Sequence, residues 1–318
     1  MNTIAENRSN GMQLQQHGTR LKLMRRNWVL YLFLVPTLIY AIMFWYAPMY
    51  GIVISFKNFR ISKGILGSDW VGLKWFIKFF NSPRFGETLK NTLVLSGYTM
   101  LASFPFPIVL ALMMNNIKNR HAKKFVQTVT YMPYFISTVV LVGMMQLFFS
   151  PYGGLFNTIM TWFGGSGNTY FMGRPEYFRH MYVWSNIWQT VGWNSIIYMA
   201  ALSGVDQSLH EAAKIDGANK FQRVLHIDIP ALMPTICILV ILNFGNLMSI
   251  GYEKVYLMQN DLNIRVSEVI TTYEYKVGLI NREYSYSTAI GLFNSITNFA
   301  LVVLVNKIMK KINGRGLW

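Results

Sequence analysis

Charge is what this sequence is short of. Only 13% of its 318 residues are Asp, Glu, Lys or Arg, roughly half the ~25% typical of a soluble globular domain. A soluble chain of this length could bury a core but would still need a polar surface, so the deficit points to lipid as part of the solvent. Cysteine is almost absent. Cys237 alone excludes a disulfide within the chain and a cysteine-based metal site, and its place in an apolar run suits a small packing residue. The five histidines, His17, His121, His180, His210 and His226, are scattered without ligand-like spacing, so no metal is expected. Catalytic signatures are missing too: there is no GxxxxGK phosphate loop followed by Ser or Thr, no HExxH, no GxSxG and no carboxylate pair inside an apolar run. No enzymatic step and no catalytic residue is therefore assigned.

What is present is apolar length. Hydrophobic residues make up 53% of the chain and the mean hydropathy is +0.29. A bilayer core needs about 20 apolar residues as helix. Charge-free runs of that order cover 27–56, 91–117, 180–205, 229–252 and 284–306, and a longer one from Phe125 is cut near Phe149 by Ser150-Pro151-Tyr152-Gly153-Gly154. The reading is an all-α integral membrane protein with six transmembrane helices. The first run follows basic Lys22, Arg25 and Arg26, yet it is about twice the 7–15 residues of a signal-peptide core, so an uncleaved anchor is expected. Pro36 and Pro48 should kink or end it, and Pro105 and Pro107 should do the same in the second run.

Basic residues set the orientation. With both termini cytoplasmic, the inner segments 1–26, 118–124, 206–228 and 307–318 carry 16 basic and 5 acidic residues, against 13 and 8 in the outer segments 57–90, 174–179 and 253–283. The domain reading is a cytoplasmic N-terminal segment 1–26, a membrane domain 27–306 containing the loop 206–230, and a basic cytoplasmic tail 307–318. Residues 1–19 are polar and expected to be loosely ordered. The net charge of +16 does not imply nucleic acid, because the cations sit in short clusters between uncharged runs. Trp70, Trp75, Phe76, Phe79, Phe80 and Phe85, mixed with Lys74, Lys78 and Arg84, fit either a helix lying in the membrane interface or a loop packed over helix ends.

Between the fourth and fifth runs stands a helix-forming segment, a glycine break and a second short helix ended by Pro230. Ala212 and Ala213, next to Glu211, present a low-relief face, Gly217 permits a sharp change of direction, and Phe221, Val224 and Leu225 supply an apolar face at helical spacing. From pattern alone this is either a docking element or an ordinary amphipathic connector. The spacing from Glu211-Ala212-Ala213 through Asp216-Gly217 and Ile227 to Ile229-Pro230, with Pro234 beyond, resembles the EAA loop of ABC importer permeases. Ile229 stands where leucine is usual. The resemblance covers about residues 28–318 and is strongest to sugar permeases of the maltose-transporter type, among them permeases for complex plant-polysaccharide fragments.

That resemblance implies a type I ABC importer permease fold and a set of partners: a second homologous permease, two cytoplasmic ATPase subunits that hold ATP and Mg, and an extracytoplasmic solute-binding protein. No cofactor is expected on this chain itself. It also implies that the loop is a coupling helix seated on an ATPase, through Glu211, Ala212, Ala213, Asp216, Gly217 and Phe221. The cargo it implies is an oligosaccharide, with acidic cell-wall fragments as a refinement. The rival readings are a permease for a peptide or anion, and a standalone channel or ion-coupled carrier. The near absence of ionisable residues in the spans argues against ion coupling.

Candidate substrate contacts lie in the fourth and fifth runs: Trp193, Asn194, Tyr198, Asn243, Asn246 and Tyr252, with Asn186, Trp188, Gln189 and Ser249 nearby. Amides can donate to and accept from sugar hydroxyls, and aromatic faces stack on pyranose CH surfaces. The same side chains also serve as hydrogen-bonding glue between membrane helices. Asn243-Phe244-Gly245-Asn246 resembles the Asn-Phe-x-Asn stretch of maltose-type permeases, and Trp193 takes roughly the place of an aromatic sugar contact there.

Overall fold

The structure, a computed structural model, describes residues 26–314 and 316–317. The expected N-terminal segment and its basic residues before Arg26 lie outside the described residues, as do Arg315 and Trp318 of the tail. Helices dominate, with one small departure from an all-α chain: a two-residue antiparallel ribbon, β1 (Lys57–Asn58) with β2 (Asp69–Trp70).

Helix α1 (Trp28–Phe56) is apolar all round, and none of its residues from Trp28 to Met49 is buried. A helix without a polar face is matched to lipid or to another apolar surface, not to water. Pro36 is accommodated inside its α-helical part, the coil widens to a π-turn at Ile42–Tyr46, and after Pro48 it tightens to a 3₁₀ turn at Tyr50–Phe56. The short α2 (Lys74–Phe80) carries Trp75, Phe76, Phe79 and Phe80; Phe79, with Trp75 and Phe85 beside it, joins a core cluster, while Phe80 and Trp70 are exposed. Phe79 is fully buried, with Phe85 at 5.0 Å, Phe293 at 5.6 Å, Tyr286 at 6.4 Å and Tyr273 at 6.5 Å between ring centroids. The segment therefore packs over helix ends on the Phe79 side and leaves Trp70, Leu73, Ile77 and Phe80 uncovered on the other.

α3 (Pro83–Asn115) begins where Ser82 accepts a hydrogen bond from the Arg84 N–H and Pro83 fills a position that needs no donor. It runs through Phe104 in helical geometry despite Pro105. The third apolar run departs from its expected course. Instead of one helix over 125–149 it forms α4 (Arg120–Phe135) and α5 (Thr138–Phe148), bent by 95°. The cause is local: Pro133 cannot donate, Ile136 and Ser137 are extended, and Ser137 accepts from the Val140 N–H to start a new helix. After α6 (Leu155–Trp162) comes α7 (Pro175–Ser203), followed by α8 (Gln207–Ile215) and α9 (Lys220–Gly245). The last elements are α10 (Tyr252–Met258), α11 (Ile270–Tyr275) and α12 (Tyr284–Asn313).

Among the described residues, α1, α3, α9 and α12 are long and apolar enough to cross a membrane, and the bent pair α4–α5 makes a fifth crossing if taken as one. The sixth expected span, α7, has the length (29 residues, about 44 Å at 1.5 Å per residue) but falls short in composition. Phe178, Tyr182, Ile187, Ser195, Tyr198 and Leu202 form a buried stripe against other helices, while Trp184, Trp188 and Ile197 on the same helix are exposed; positions turned to protein or to a cavity can carry polar residues that a lipid-facing side could not.

At the end of the bundle that carries the connections 57–90 and 253–283, Glu268 is buried and ties three elements together. It meets Arg84 of α3 at 3.0 Å and Lys276 at 3.0 Å, while the Asn91 amide donates to the Glu268 carbonyl at 3.1 Å. Only the carboxyl is buried; Arg84 is half-exposed and Lys276 partly so, and both can be hydrated once it is gone. Glu268→Ala is therefore expected to destabilise the protein by about 1.5 kcal/mol, the worth of a hydrogen bond to a charged group, read as a fall in the thermal unfolding midpoint of the purified chain in detergent. An unchanged midpoint would reduce the triad to a surface contact.

Candidate functional site

Two regions gather the candidate residues. The first is an open cavity of about 710 Å³ lined by α3, α7 and α9. Five of the six expected substrate-path residues line it: Trp193, Asn194 and Tyr198 from α7, and Asn243 and Asn246 at the end of α9. Tyr252 does not. It lies beyond the break after α9 and lines a neighbouring cavity instead, because Leu247 and Ser249 turn back on the helix end through bonds to Phe244 and Asn246 carbonyls.

Each wall of the cavity has a reason in the sequence. Asn243 and Asn246 donate their amide N–H groups to the Leu239 and Leu242 carbonyls, at 2.9 Å and 3.3 Å, which leaves each amide oxygen as an acceptor for another group. Trp193 is held flat by its neighbours, stacking on Tyr134 at 4.5 Å with 3° between the planes and meeting Phe135 edge-on at 5.9 Å. Both rings sit on the turn Met132–Phe135 at the bend between α4 and α5. That turn is pinned to α7 by the Gln189 amide, which donates to the Ile136 carbonyl at 2.8 Å. The helices can approach this closely because residue 192 is glycine. A Cβ there would overlap the Thr130 carbonyl.

The third wall was not anticipated. α3 contributes Ser96, Thr99 and Ser103, and the Ser96 and Ser103 hydroxyls are buried with no hydrogen-bond partner among the described residues. The signal for them was present: three hydroxyl residues at i, i+3 and i+7 inside an apolar run mark one face of a helix. Gln189 and Trp188 divide, Gln189 serving the helix contact and Trp188 lying half-exposed off the cavity wall.

The second region is the segment after α7. Asp206 caps α8, accepting from the Ser208 N–H at 2.9 Å, and hydrogen bonding to Ser208 holds its carboxyl below the usual range. At the other end, the Gly217 N–H bonds the Lys214 carbonyl at 3.1 Å and the Ala218 N–H bonds the Ala213 carbonyl at 2.8 Å. These are the two bonds of a Schellman motif, which needs a left-handed residue after the cap, and Gly217 supplies it with φ of +80°. Asn219 and Gln222 then form a reciprocal capping box. The sequence therefore breaks α8 from α9 at Gly217 and restarts it at once.

The faces of this element are unequal. Glu211, Ala212, Asp216 and Gly217 are exposed, Ala213 is half-buried, and Phe221 and Ile215 are exposed at 75% and 86%. His210 turns the other way and meets Asp228, which is buried at the foot of α9, at 3.3 Å. So α8 is attached through His210 to the helix that ends in Asn243 and Asn246, and it leaves uncovered a face that mixes Ala212, Ile215 and Gly217 with the charged Glu211 and Asp216.

The family model described as "Binding-protein-dependent transport system inner membrane component" matches residues 103–314. A polygalacturonan/rhamnogalacturonan transport system permease, YteP of Bacillus subtilis (strain 168), is 42% identical over 298 residues, 94% of this chain and 92% of the relative. Among solved structures, a bacterial ABC transporter involved in the import of the acidic polysaccharide alginate has a chain that superposes with a TM-score of 0.84 at 36% identity, covering 92% of this chain and 98% of that one. A bacterial alginate ABC transporter in complex with an alginate pentasaccharide-bound periplasmic protein gives 0.85 at 36% identity, covering 93% and 99%. A standalone channel or ion-coupled carrier is thereby set aside. The chain belongs to the family of binding-protein-dependent transport system inner membrane components: it is a multi-pass permease subunit of the bacterial inner membrane, part of an ABC transporter and not itself the ATPase.

Proposed function

We propose that this permease forms one half of the translocation path of an importer for acidic oligosaccharides, of the kind released from plant cell-wall polysaccharides. The observation that carries the reading is the first cavity. It combines a rigid aromatic plate, Trp193 on Tyr134, with the amides of Asn194, Asn243 and Asn246, the combination a sugar ring requires. The cargo class follows the relatives, which are named for polygalacturonan, rhamnogalacturonan and alginate.

Glu211, Ala212, Ala213, Asp216, Gly217 and Phe221 are the contact surface for one ATPase, which binds ATP and Mg. A second permease, a second ATPase and an external binding protein complete the assembly. Both termini and the loop 206–230 lie on the cytoplasmic side, with 27–306 as the membrane domain. ATP-driven movement of the ATPases reaches the cavity through α8, the His210–Asp228 contact and α9.

The test is ATP hydrolysis and uptake by the reconstituted assembly with its binding protein, across neutral and acidic oligosaccharides. Stimulation by galacturonate oligomers supports the reading, and stimulation only by peptides or inorganic anions overturns it. Replacing both Asn243 and Asn246 by Ala removes two acceptors worth about 1 kcal/mol each. Uptake efficiency should then fall about tenfold or more without loss of assembly. Unchanged affinity and rate would make the pair structural.

A further inference from the structure

Beside the first cavity, and sharing Ile250 with it, a second cavity of about 580 Å³ lies between α10, α11 and α12. Its wall holds Tyr252, Tyr275 and Tyr284, the hydroxyls of Thr271 and Ser287, and one carboxyl, Glu274. Tyr252 and Tyr275 stand 5.3 Å apart, tilted by 31°, and give an aromatic side. Glu274 is the only charged side chain on this wall among the described residues. The cations of the packed elements face elsewhere: Lys276 is engaged by Glu268, and Lys254 of α10 donates to the Tyr182 carbonyl at 3.3 Å and lies over the Tyr182 ring. Glu274 is seated by design of the backbone. A Cβ on Gly291 of α12 would overlap its carboxyl oxygen, and the Ser287 hydroxyl donates to the Glu274 carbonyl at 3.0 Å, so α11 and α12 are locked around it.

We propose that this cavity is a second saccharide subsite on the same path, in which the Glu274 carboxyl receives the carboxylate of a uronate unit by donating a hydrogen bond to it. The inference rests on the acidic-oligosaccharide reading above. An ionised Glu274 would repel a uronate, whereas the neutral acid donates its O–H to the uronate oxygen, a charge-assisted bond. Burial raises the Glu274 pKa to about 7. The raised value means that the neutral acid prevails below pH 7 and is lost above it. Neutral sugars gain nothing from that proton, so the ratio of acidic to neutral cargo reads the subsite directly.

The experiment measures uptake by the complete reconstituted transporter, with binding protein, of galacturonate oligomers and of neutral galactose oligomers between pH 6.0 and 8.5. With the native chain the acidic-to-neutral ratio should fall about tenfold or more over this range, following ionisation of a group with pKa near 7. With Glu274→Gln, which is isosteric and always neutral, that fall should disappear. The same fall in the variant as in the native transporter overturns the subsite while leaving the cargo reading intact. Uptake of neutral oligomers alone, at every pH, overturns the cargo reading and the subsite with it. Should Glu274→Gln fail to assemble, Tyr252→Ala tests the cavity independently. Weaker uptake of the longer acidic oligomers supports the subsite, and unchanged uptake of every length removes it.

Discussion

Gly217→Arg is expected to abolish transport while leaving the permease folded. Residue 217 has φ of +80° and open space on the side where a Cβ would project. The cost to the chain itself is the left-handed backbone of a non-glycine residue, about 1–2 kcal/mol, borne by a surface loop. The cost to docking is larger. An arginine here fills the space beside Ala213 and places a cation where, on the docking proposed above, the ATPase surface approaches closely. Uptake should drop below roughly 1% of the native level, a loss of at least ~2.7 kcal/mol of coupling, and the ATPase should no longer co-purify with the permease. Gly217→Ala serves as the comparison, because it carries the backbone cost without the bulk and should retain most activity. Full transport and full ATPase retention in Gly217→Arg would show that the face is not the joint.

Gly192→Ala should be the most damaging single methyl in the membrane domain. The added Cβ overlaps the Thr130 carbonyl, which is backbone and has no rotamer to escape into, so α4 and α7 must separate. Overpacking of this kind costs about 1–3 kcal/mol. Two further interactions depend on the same approach: the 2.8 Å bond from Gln189 to the Ile136 carbonyl, and the Trp193–Tyr134 stack, the latter worth about 0.5–1.5 kcal/mol. The prediction is a clearly lowered unfolding midpoint together with uptake reduced by more than tenfold, because the aromatic plate loses its support. A native midpoint and native uptake would mean that the bend can shift without consequence.

These residues differ in how visible they were beforehand. The break at Gly217 was legible because a Schellman ending is a local matter: a helix former, a glycine and a new cap all lie within a few residues. Gly192 was invisible. Nothing in Val191-Gly192-Trp193 distinguishes a glycine needed for close approach from one tolerated in a membrane helix, since the partner carbonyl is 62 positions away in the chain. The residues proposed for the substrate path were partly legible for a related reason. Hydropathy picks out the amides of α7 and α9 as polar, but whether an amide faces a cavity or a neighbouring helix depends on rotation of the helix in the bundle. Gln189 went to the helix contact and Asn194 to the cavity.

Composition and local pattern by themselves determined that this chain lives in a membrane, the rough course of all its long helices but the bent third, and where the loop before α9 turns, because lipid demands apolar length and backbone turns demand particular residues within a few positions. The tertiary structure decided the rest. It set the 95° bend that brings Tyr134 under Trp193, the union of Glu268 with an arginine 184 residues earlier in the chain, and the separation of Tyr252 from the first cavity into a second one beside Glu274. Each depends on which helix faces meet, and that is settled by packing volume and burial between distant segments, quantities that no single stretch of sequence contains.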